Sequence, residues 1–180
     1  GNHHSREFYS KDFAFPNGHP EYSEGQVSDC FSFDGEDDYW MASGLMSYAV
    51  GKLPSSPGAS IEFWVNPERV DGDLIRWSDL MRVRLYHGNL RADWSDGDVS
   101  VSISAPGFNA LNRWYHVACT YDKASGMARI WVDGIQRAEN YIGTFNLATT
   151  GDIQIGSPQF KGQLDEITLY DRALTRDETI

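Results

Sequence analysis

The chain of 180 residues carries 26 acidic against 15 basic side chains, a formal charge of −11 with a sequence pI near 4.7. Its overall field repels phosphate backbones and anionic membrane surfaces, which argues against nucleic acid as a partner. No apolar run approaches the roughly 18 residues of a membrane span, and no signal-peptide pattern opens the chain, so no membrane partner is expected.

The length suits one domain, and an aromatic content of 13% with 17 glycines favours short strands and turns over helices. Residues 1–26 are rich in His, Ser, Asn, Pro and Gly without a sustained period, and read as an N-terminal arm draped over a body of residues 27–180. His3 and His4 have neither the number nor the spacing of a metal site and read as a solvated tail or tag remnant. From Val27 the pattern changes. Cys30 to Phe33 is strand-like and runs into the acidic turn Asp34-Gly-Glu-Asp-Asp38, after which Tyr39 to Met41 resumes the apolar pattern. Ile61 to Val65 alternates and is closed by Asn66-Pro67. Further short strands are expected at Leu74–Trp77, Met81–Tyr86, Leu90–Trp94 and Val99–Ser104.

The stretch that constrains the fold most begins at Trp114. The run to Tyr121, the turn Asp122 to Gly126 and the run Met127 to Val132 form a β-hairpin, and Asp133-Gly134 turns the chain into a third strand from Ile135 to Ala138. Both faces of this meander carry bulky groups, so it must lie inside a layered all-β body. Asp152–Ile155 and Gln163–Tyr170 complete roughly ten short strands, the signature of a sandwich or jelly roll. Thr175 to Glu178 has the form of a capping box opening a short helix, and the chain's stop soon after suggests a module of something longer.

Cys30 and Cys119 each fall within an apparent strand and read as buried free thiols, with a disulfide as the alternative. His116 precedes Cys119 by three residues and so faces the other way, which argues against a nucleophile–base pair.

Phe33-Asp34-Gly35, Ser60 to Val65, Trp114 to Asp122, Trp131 to Gly134 and Gly162 to Leu174, taken together and in this order, resemble a laminin-G-like domain of the concanavalin A-like lectin and glucanase superfamily. The resemblance covers about residues 27–180, with Cys119 standing where an aliphatic residue is more usual. It implies a jelly-roll sandwich of two curved antiparallel sheets, and functions that run from carbohydrate binding to protein adhesion, with enzymes on the same scaffold. Fold alone does not choose among these.

A glycoside hydrolase of this superfamily needs paired carboxylates about 5 Å apart on one strand face. Here Glu62 stands alone in its strand, Asp165 and Glu166 are adjacent and so should point to opposite faces, and the other acids lie in a turn. A polysaccharide lyase would want a Tyr or His base beside Arg or Lys, an arrangement that Tyr86 with Arg82 and Arg84 imitates. The leading expectation is a non-catalytic carbohydrate-binding module for an acidic polysaccharide, part of a larger secreted protein that holds a catalytic or adhesive domain near its target. A protein–protein adhesion domain is the first alternative and an enzyme the second.

Two sites are expected. The acidic turn offers the hard oxygens that calcium prefers, through Asp34 and Asp37, and the resemblance adds Asp165 in the near-C-terminal strand. A structural calcium ion there would clamp the chain's ends together; the alternative is a solvated acidic turn. The second site rests on alternation. Met81, Val83 and Leu85 fall on one strand face, leaving Arg82, Arg84 and Tyr86 on the other, and Arg91 repeats the pattern after the turn at His87. Guanidinium forks match carboxylate or sulfate oxygens, while Tyr86, Trp77 and Trp131 offer rings for stacking on sugars. The alternative is that these arginines pair with nearby acids such as Asp93 or Asp96, or cover the core with their stems.

Overall fold

The computed structural model describes residues 5–7, 15–27, 29–42, 56–77, 81–147 and 152–179. His3 and His4 lie outside the described residues. In chain order the strands are β1 (Ser5–Glu7), β2 (Phe15–Asn17), β3 (Glu21–Glu24), β4 (Asp29–Asp34), β5 (Tyr39–Ala42), β6 (Gly58–Pro67), β7 (Gly72–Trp77) and β8 (Met81–Tyr86). They continue with β9 (Asn89–Ser95), β10 (Ser100–Pro106), β11 (Tyr115–Asp122), β12 (Met127–Val132), β13 (Ile135–Tyr141), β14 (Ile153–Ile155) and β15 (Lys161–Tyr170).

Two antiparallel sheets stack to form the jelly-roll sandwich. The first runs β13-β12-β11-β6-β15-β4-β3, with β1 also paired to β15, and the second runs β10-β9-β8-β7-β14-β5-β2. Neither follows chain order. β6 sits between β11 and β15, and β14 between β7 and β5, so hairpins made locally are joined by pairings between distant segments. Within the arm of residues 1–26, β1 and β3 pair into the first sheet and β2 into the second.

Alternation drives the layering. Ala59, Ile61, Phe63 and Val65 of β6 are all fully buried, and from β11 they meet Tyr115, Val117, Cys119 and Tyr121. Met81, Val83 and Leu85 of β8 face them from the second sheet at 2% exposure or less. Trp94 of β9 and Tyr121 of β11 bring their rings to 6.0 Å between the layers. Burial raises the pKa of the Tyr121 phenol, whose hydroxyl donates to the Gly143 carbonyl at 3.0 Å and accepts the Phe145 N–H at 3.0 Å.

Local turn chemistry agrees with the sequence. Asp133 and Gly134 take positive φ of 51° and 71°, as a two-residue hairpin turn demands, and His87-Gly88 does the same between β8 and β9. One expectation fails at β15. Glu166 has φ 50° at a register shift between Asp165 and Thr168, and the bulge leaves Leu164 and Ile167 both in the core. Asp165 and Glu166 therefore both leave the core face instead of pointing to opposite ones. Both cysteines are free and buried. Burial pushes the Cys119 thiol up to about 12 and also raises Cys30, which lies 3.2 Å from the Ser23 hydroxyl.

At the C-terminal end the expected helix is a single 3-10 turn, Arg176–Glu178, without buried residues to extend it. Glu178 holds it. Its carboxylate accepts both terminal nitrogens of Arg172 at 2.8 and 2.6 Å, together with the Thr175 N–H and hydroxyl at 2.8 Å each. The Arg172 fork, helped by Thr175, lowers its pKa from an ordinary 4.5 to about 2. A group depressed in the folded state contributes stability that is complete above its unfolded pKa and drains as pH falls through the folded one. Wild type should therefore exceed Glu178→Gln in urea midpoint at pH 7, with the gap closing between about pH 4.5 and pH 2; a gap independent of pH would contradict this account.

Candidate functional site

The outer surface of the second sheet gathers four of the chain's eleven arginines. Antiparallel register aligns Ser102, Asp93, Arg82, Arg76, Gln154 and Met41 in one row across five ladders. The next row holds Ser104, Arg91, Arg84 and Asp73, and a third holds Pro106, Asn89 and Tyr86. Arg76, Arg82, Arg84 and Arg91 thus share this face with the carboxylates of Asp73 and Asp93, on a chain of net charge −11.

The two acids are strongly engaged. Arg82 reaches Asp73 Oδ1 with Nε at 2.7 Å and with a terminal nitrogen at 2.6 Å. Arg91 Nε donates to Asp93 Oδ1 at 2.8 Å and its terminal nitrogen to the Ser102 hydroxyl at 2.7 Å, while Ser102 in turn donates to Asp93 at 2.5 Å. Arg84 differs. Its Nε is buried without a hydrogen bond, 3.8 Å from Asp93 Oδ2, and its guanidinium carbon lies 5.3 Å from the Tyr86 ring centre. Such a group is oriented by the ring yet retains donors for an incoming oxyanion.

Arg82, Arg84, Arg91 and Tyr86 therefore share one face as the alternation required, and Tyr86 is 49% exposed. The expected partner Asp93 is present, whereas Asp96 instead accepts the N–H groups of Asp98 and Val99 in its own turn. Two expectations are corrected. Trp77, 1% exposed, is part of the core because it alternates with Arg76, and it cannot stack on a ligand at the surface. Trp131, 7% exposed, belongs to the other sheet, where alternation with the core residues Ile130 and Val132 puts it on the outer face. Arg76 was missed, although its position between Ile75 and Trp77 carried the same signal as Arg82 and Arg84.

Trp131 shares the outer face of the first sheet with a second polar group that the sequence did not reveal. The Tyr170 hydroxyl hydrogen-bonds Glu62, whose other oxygen lies 3.8 Å from His116 Nε2, and the Trp64 and His116 rings are 5.1 Å apart. These residues come from β6, β11 and β15, so no local pattern links them.

The acidic turn and Asp165 do not form one site. Asp34 pairs with Lys161, so Asp165 lies four residues further along β15, about 13 Å at about 3.3 Å per residue. Asp38 takes its place: ligand oxygens of Asp34, Asp37 and Asp38 lie within 4.8 Å of one another. Asp38 is also a local anchor, accepting the His19 N–H at 2.7 Å and the Asp34 N–H at 3.0 Å. Asp165, 4% exposed, accepts the N–H groups of Gln26 at 2.9 Å, Val27 at 3.1 Å and Glu166 at 2.9 Å. It ties the segment between β3 and β4 to β15.

A laminin-G-type family model, described as the concanavalin A-like lectin/glucanases superfamily, matches residues 34–179. No curated protein sequence matches the chain. Among solved structures it is similar to the receptor binding domain of botulinum neurotoxin C/D mosaic serotype, with a TM-score of 0.74 at 12% identity over 98% of this chain. A botulinum neurotoxin serotype D ligand binding domain in complex with N-acetylneuraminic acid gives 0.70 at 12% identity, again over 98% of this chain. The chain spans less than half of these toxin domains, 45% and 44%. Domain 4 of AbnA, a GH43 extracellular arabinanase from Geobacillus stearothermophilus, in complex with arabinotriose, gives 0.65 at 19% identity, covering 90% of this chain and 80% of that one. At these identities the likeness is one of fold.

The Asp165 anchor leads to a stability test. Removing the acceptor leaves three amides to find other partners, at a cost of about 1–3 kcal/mol. Asp165→Ala should lose that much in urea unfolding, and Asp165→Asn less, because one carbonyl oxygen remains. Equal stability of all three proteins would show that water replaces the carboxylate at no cost.

Proposed function

The chain belongs to the laminin-G-like family of the concanavalin A-like lectin/glucanase superfamily, and from that premise we propose that it is a non-catalytic carbohydrate-binding module for an acidic polysaccharide. The observation that carries this reading is the gathering of Arg82, Arg84 and Arg91 on the outer face of the second sheet, where the Arg84 Nε makes no hydrogen bond. A strongly acidic protein that concentrates arginine on one flat surface attracts anions there and repels them elsewhere. Uronate or sulfate groups repeated along a polymer suit successive forks at Arg82, Arg84 and Arg91, with Arg76 beside them and Tyr86 at the margin as an exposed ring. That two proteins of like fold were solved with N-acetylneuraminic acid and with arabinotriose supports glycan binding in general.

Catalysis has weaker support on this face, because Asp73 and Asp93 are both committed to arginine as acceptors. A protein-adhesion role draws support from one feature, the edge strand β13, where Ile135 and Tyr141 are 54% and 65% exposed. The module is proposed to be secreted and to serve a catalytic or adhesive domain of a larger chain.

We also propose a structural calcium ion at the acidic turn, with Asp34, Asp37 and Asp38 as its carboxylate ligands. Three carboxylates so close repel one another unless a cation or N–H donors compensate. If the ion is resident, elemental analysis finds about one calcium per chain, and a chelator lowers Tm until calcium is restored. No metal and an unchanged Tm would leave the turn to its N–H donors alone.

The ligand face has a direct test. Arg82→Ala with Arg84→Ala should abolish retention on an anionic glycan gel while leaving circular dichroism unchanged. Each charge-assisted contact is worth about 1.5–3 kcal/mol, or roughly tenfold or more in Kd. Wild-type retention should fall as salt rises. Full retention by the double variant would move the ligand to another surface.

A further inference from the structure

A pocket of about 280 Å³ opens at the end of the sandwich, between the end of β10 and the turn joining β12 to β13. Phe108, Tyr115 and Val132, each 4% exposed or less, lie at its base. Arg113, Asp133 and Arg137 bring charge to it. Its walls are tied down from several directions. The Tyr115 hydroxyl donates to the Ala110 carbonyl at 2.9 Å, the Phe108 N–H to the Gly88 carbonyl at 3.0 Å, and the Asn112 N–H to the Pro67 carbonyl at 2.9 Å. The cavity is therefore formed before any ligand arrives.

Its charges are unequally committed. Arg113 lies 4.2 Å over the Tyr115 ring and donates to Asp133 Oδ2 at 2.9 Å, while Asp133 Oδ1 accepts the His116 N–H at 2.9 Å. Arg137 stands exposed on edge strand β13 and has no hydrogen-bond or ion-pair partner among the described residues. Two guanidinium groups against one carboxylate leave the pocket positive in an acidic protein. The volume lies just below the range of about 300–1,000 Å³ for drug-sized ligands, so it suits one ring and not a run of chain. At Gly107, which has φ 113°, an added Cβ would meet nothing within 4 Å, so the space beside it is open for a chain to leave.

We propose that this pocket is a second, end-on site that takes the terminal sugar of a glycan through a single anionic group, a carboxylate or sulfate, held by Arg137 and Arg113. The inference rests on the carbohydrate-binding reading but uses none of the face arginines. It also gives that reading a geometry. Pro106 of the pocket belongs to the same register row as Asn89 and Tyr86, at the border of the arginine face. A polymer lying along that face would end its chain here.

The test is a titration of amide chemical shifts in the intact chain with glucuronate, glucose 6-sulfate and glucose. Saturable shifts at Gly107, Phe108 and Asp133 are expected with a charged sugar and not with glucose, and the sugar that binds identifies the anion. Arg137→Ala, at an exposed position without partners, should weaken this at least tenfold, and Ala110→Trp should block it by filling the cavity. If wild type retains the anionic polymer but neither charged sugar shifts these amides, or if Arg137→Ala binds as wild type does, the end-on site is wrong and the face reading stands. If the pocket responds while the polymer is not retained, the face reading falls and the pocket remains.

Discussion

The ladder of β6 between β11 and β15 is the constraint on which the rest of the molecule depends. β6 pairs through eight positions with a strand that begins at Tyr115 and through seven with one that begins at Lys161. Such closure over long loops costs chain entropy before any contact returns it. The return is burial, since Ile61, Phe63 and Val65 are wholly removed from solvent, each worth roughly 1.5–3 kcal/mol. Once β6 is fixed, its inner residues set the face that every neighbour must present to the core, and the second sheet stacks in matching alternation.

That alternation also sorts the charges. Many of the acids sit at turns, where their carboxylates satisfy backbone N–H groups: Asp96 those of Asp98 and Val99, Asp71 that of His87, Asp122 that of Ala124. The turn amides of Val99 and Asp98 hold the Asp96 carboxyl below its ordinary range. Arg76, Arg82, Arg84 and Arg91, by contrast, project from the middle of strands onto one surface. Their long stems cover the sheet while their planar heads stay at the solvent boundary. The molecule thus carries much of its negative charge where the backbone needs acceptors and concentrates arginine on one sheet face.

The two outer faces have different characters. On the second sheet, Arg82 and Arg91 are paired with Asp73 and Asp93, while the Arg84 Nε makes no hydrogen bond. On the first, Tyr170 hydrogen-bonds Glu62, His116 lies 3.8 Å from the same carboxylate beside Trp64, and Arg172 lies 5.7 Å from the centre of the Tyr170 ring. The first sheet's Arg129 is paired with Glu139, whereas the second sheet sets three arginines side by side, and the arginine face carries the functional reading for that reason.

Period-two alternation is a property of a strand by itself, so the sequence alone determined the strands from β4 onward, though not β1 to β3 in the arm, and the shared face of Arg82, Arg84, Arg91 and Tyr86. It also determined the tight turn at Asp133-Gly134, whose positive φ follows from residue type. What only the tertiary structure decided are relations between strands. The bulge at Glu166 resets alternation in β15, and Asp165 finds its amides at Gln26 and Val27 instead of joining the acidic turn at Asp34. Trp77 and Trp131 look alike as aromatic residues in strands, yet one lies in the core and the other on the far sheet. Contacts between segments far apart in the chain, β6 with β15 and Gln26 and Val27 with Asp165, set these neighbours, and nothing in either segment taken singly encodes the offset at which they meet.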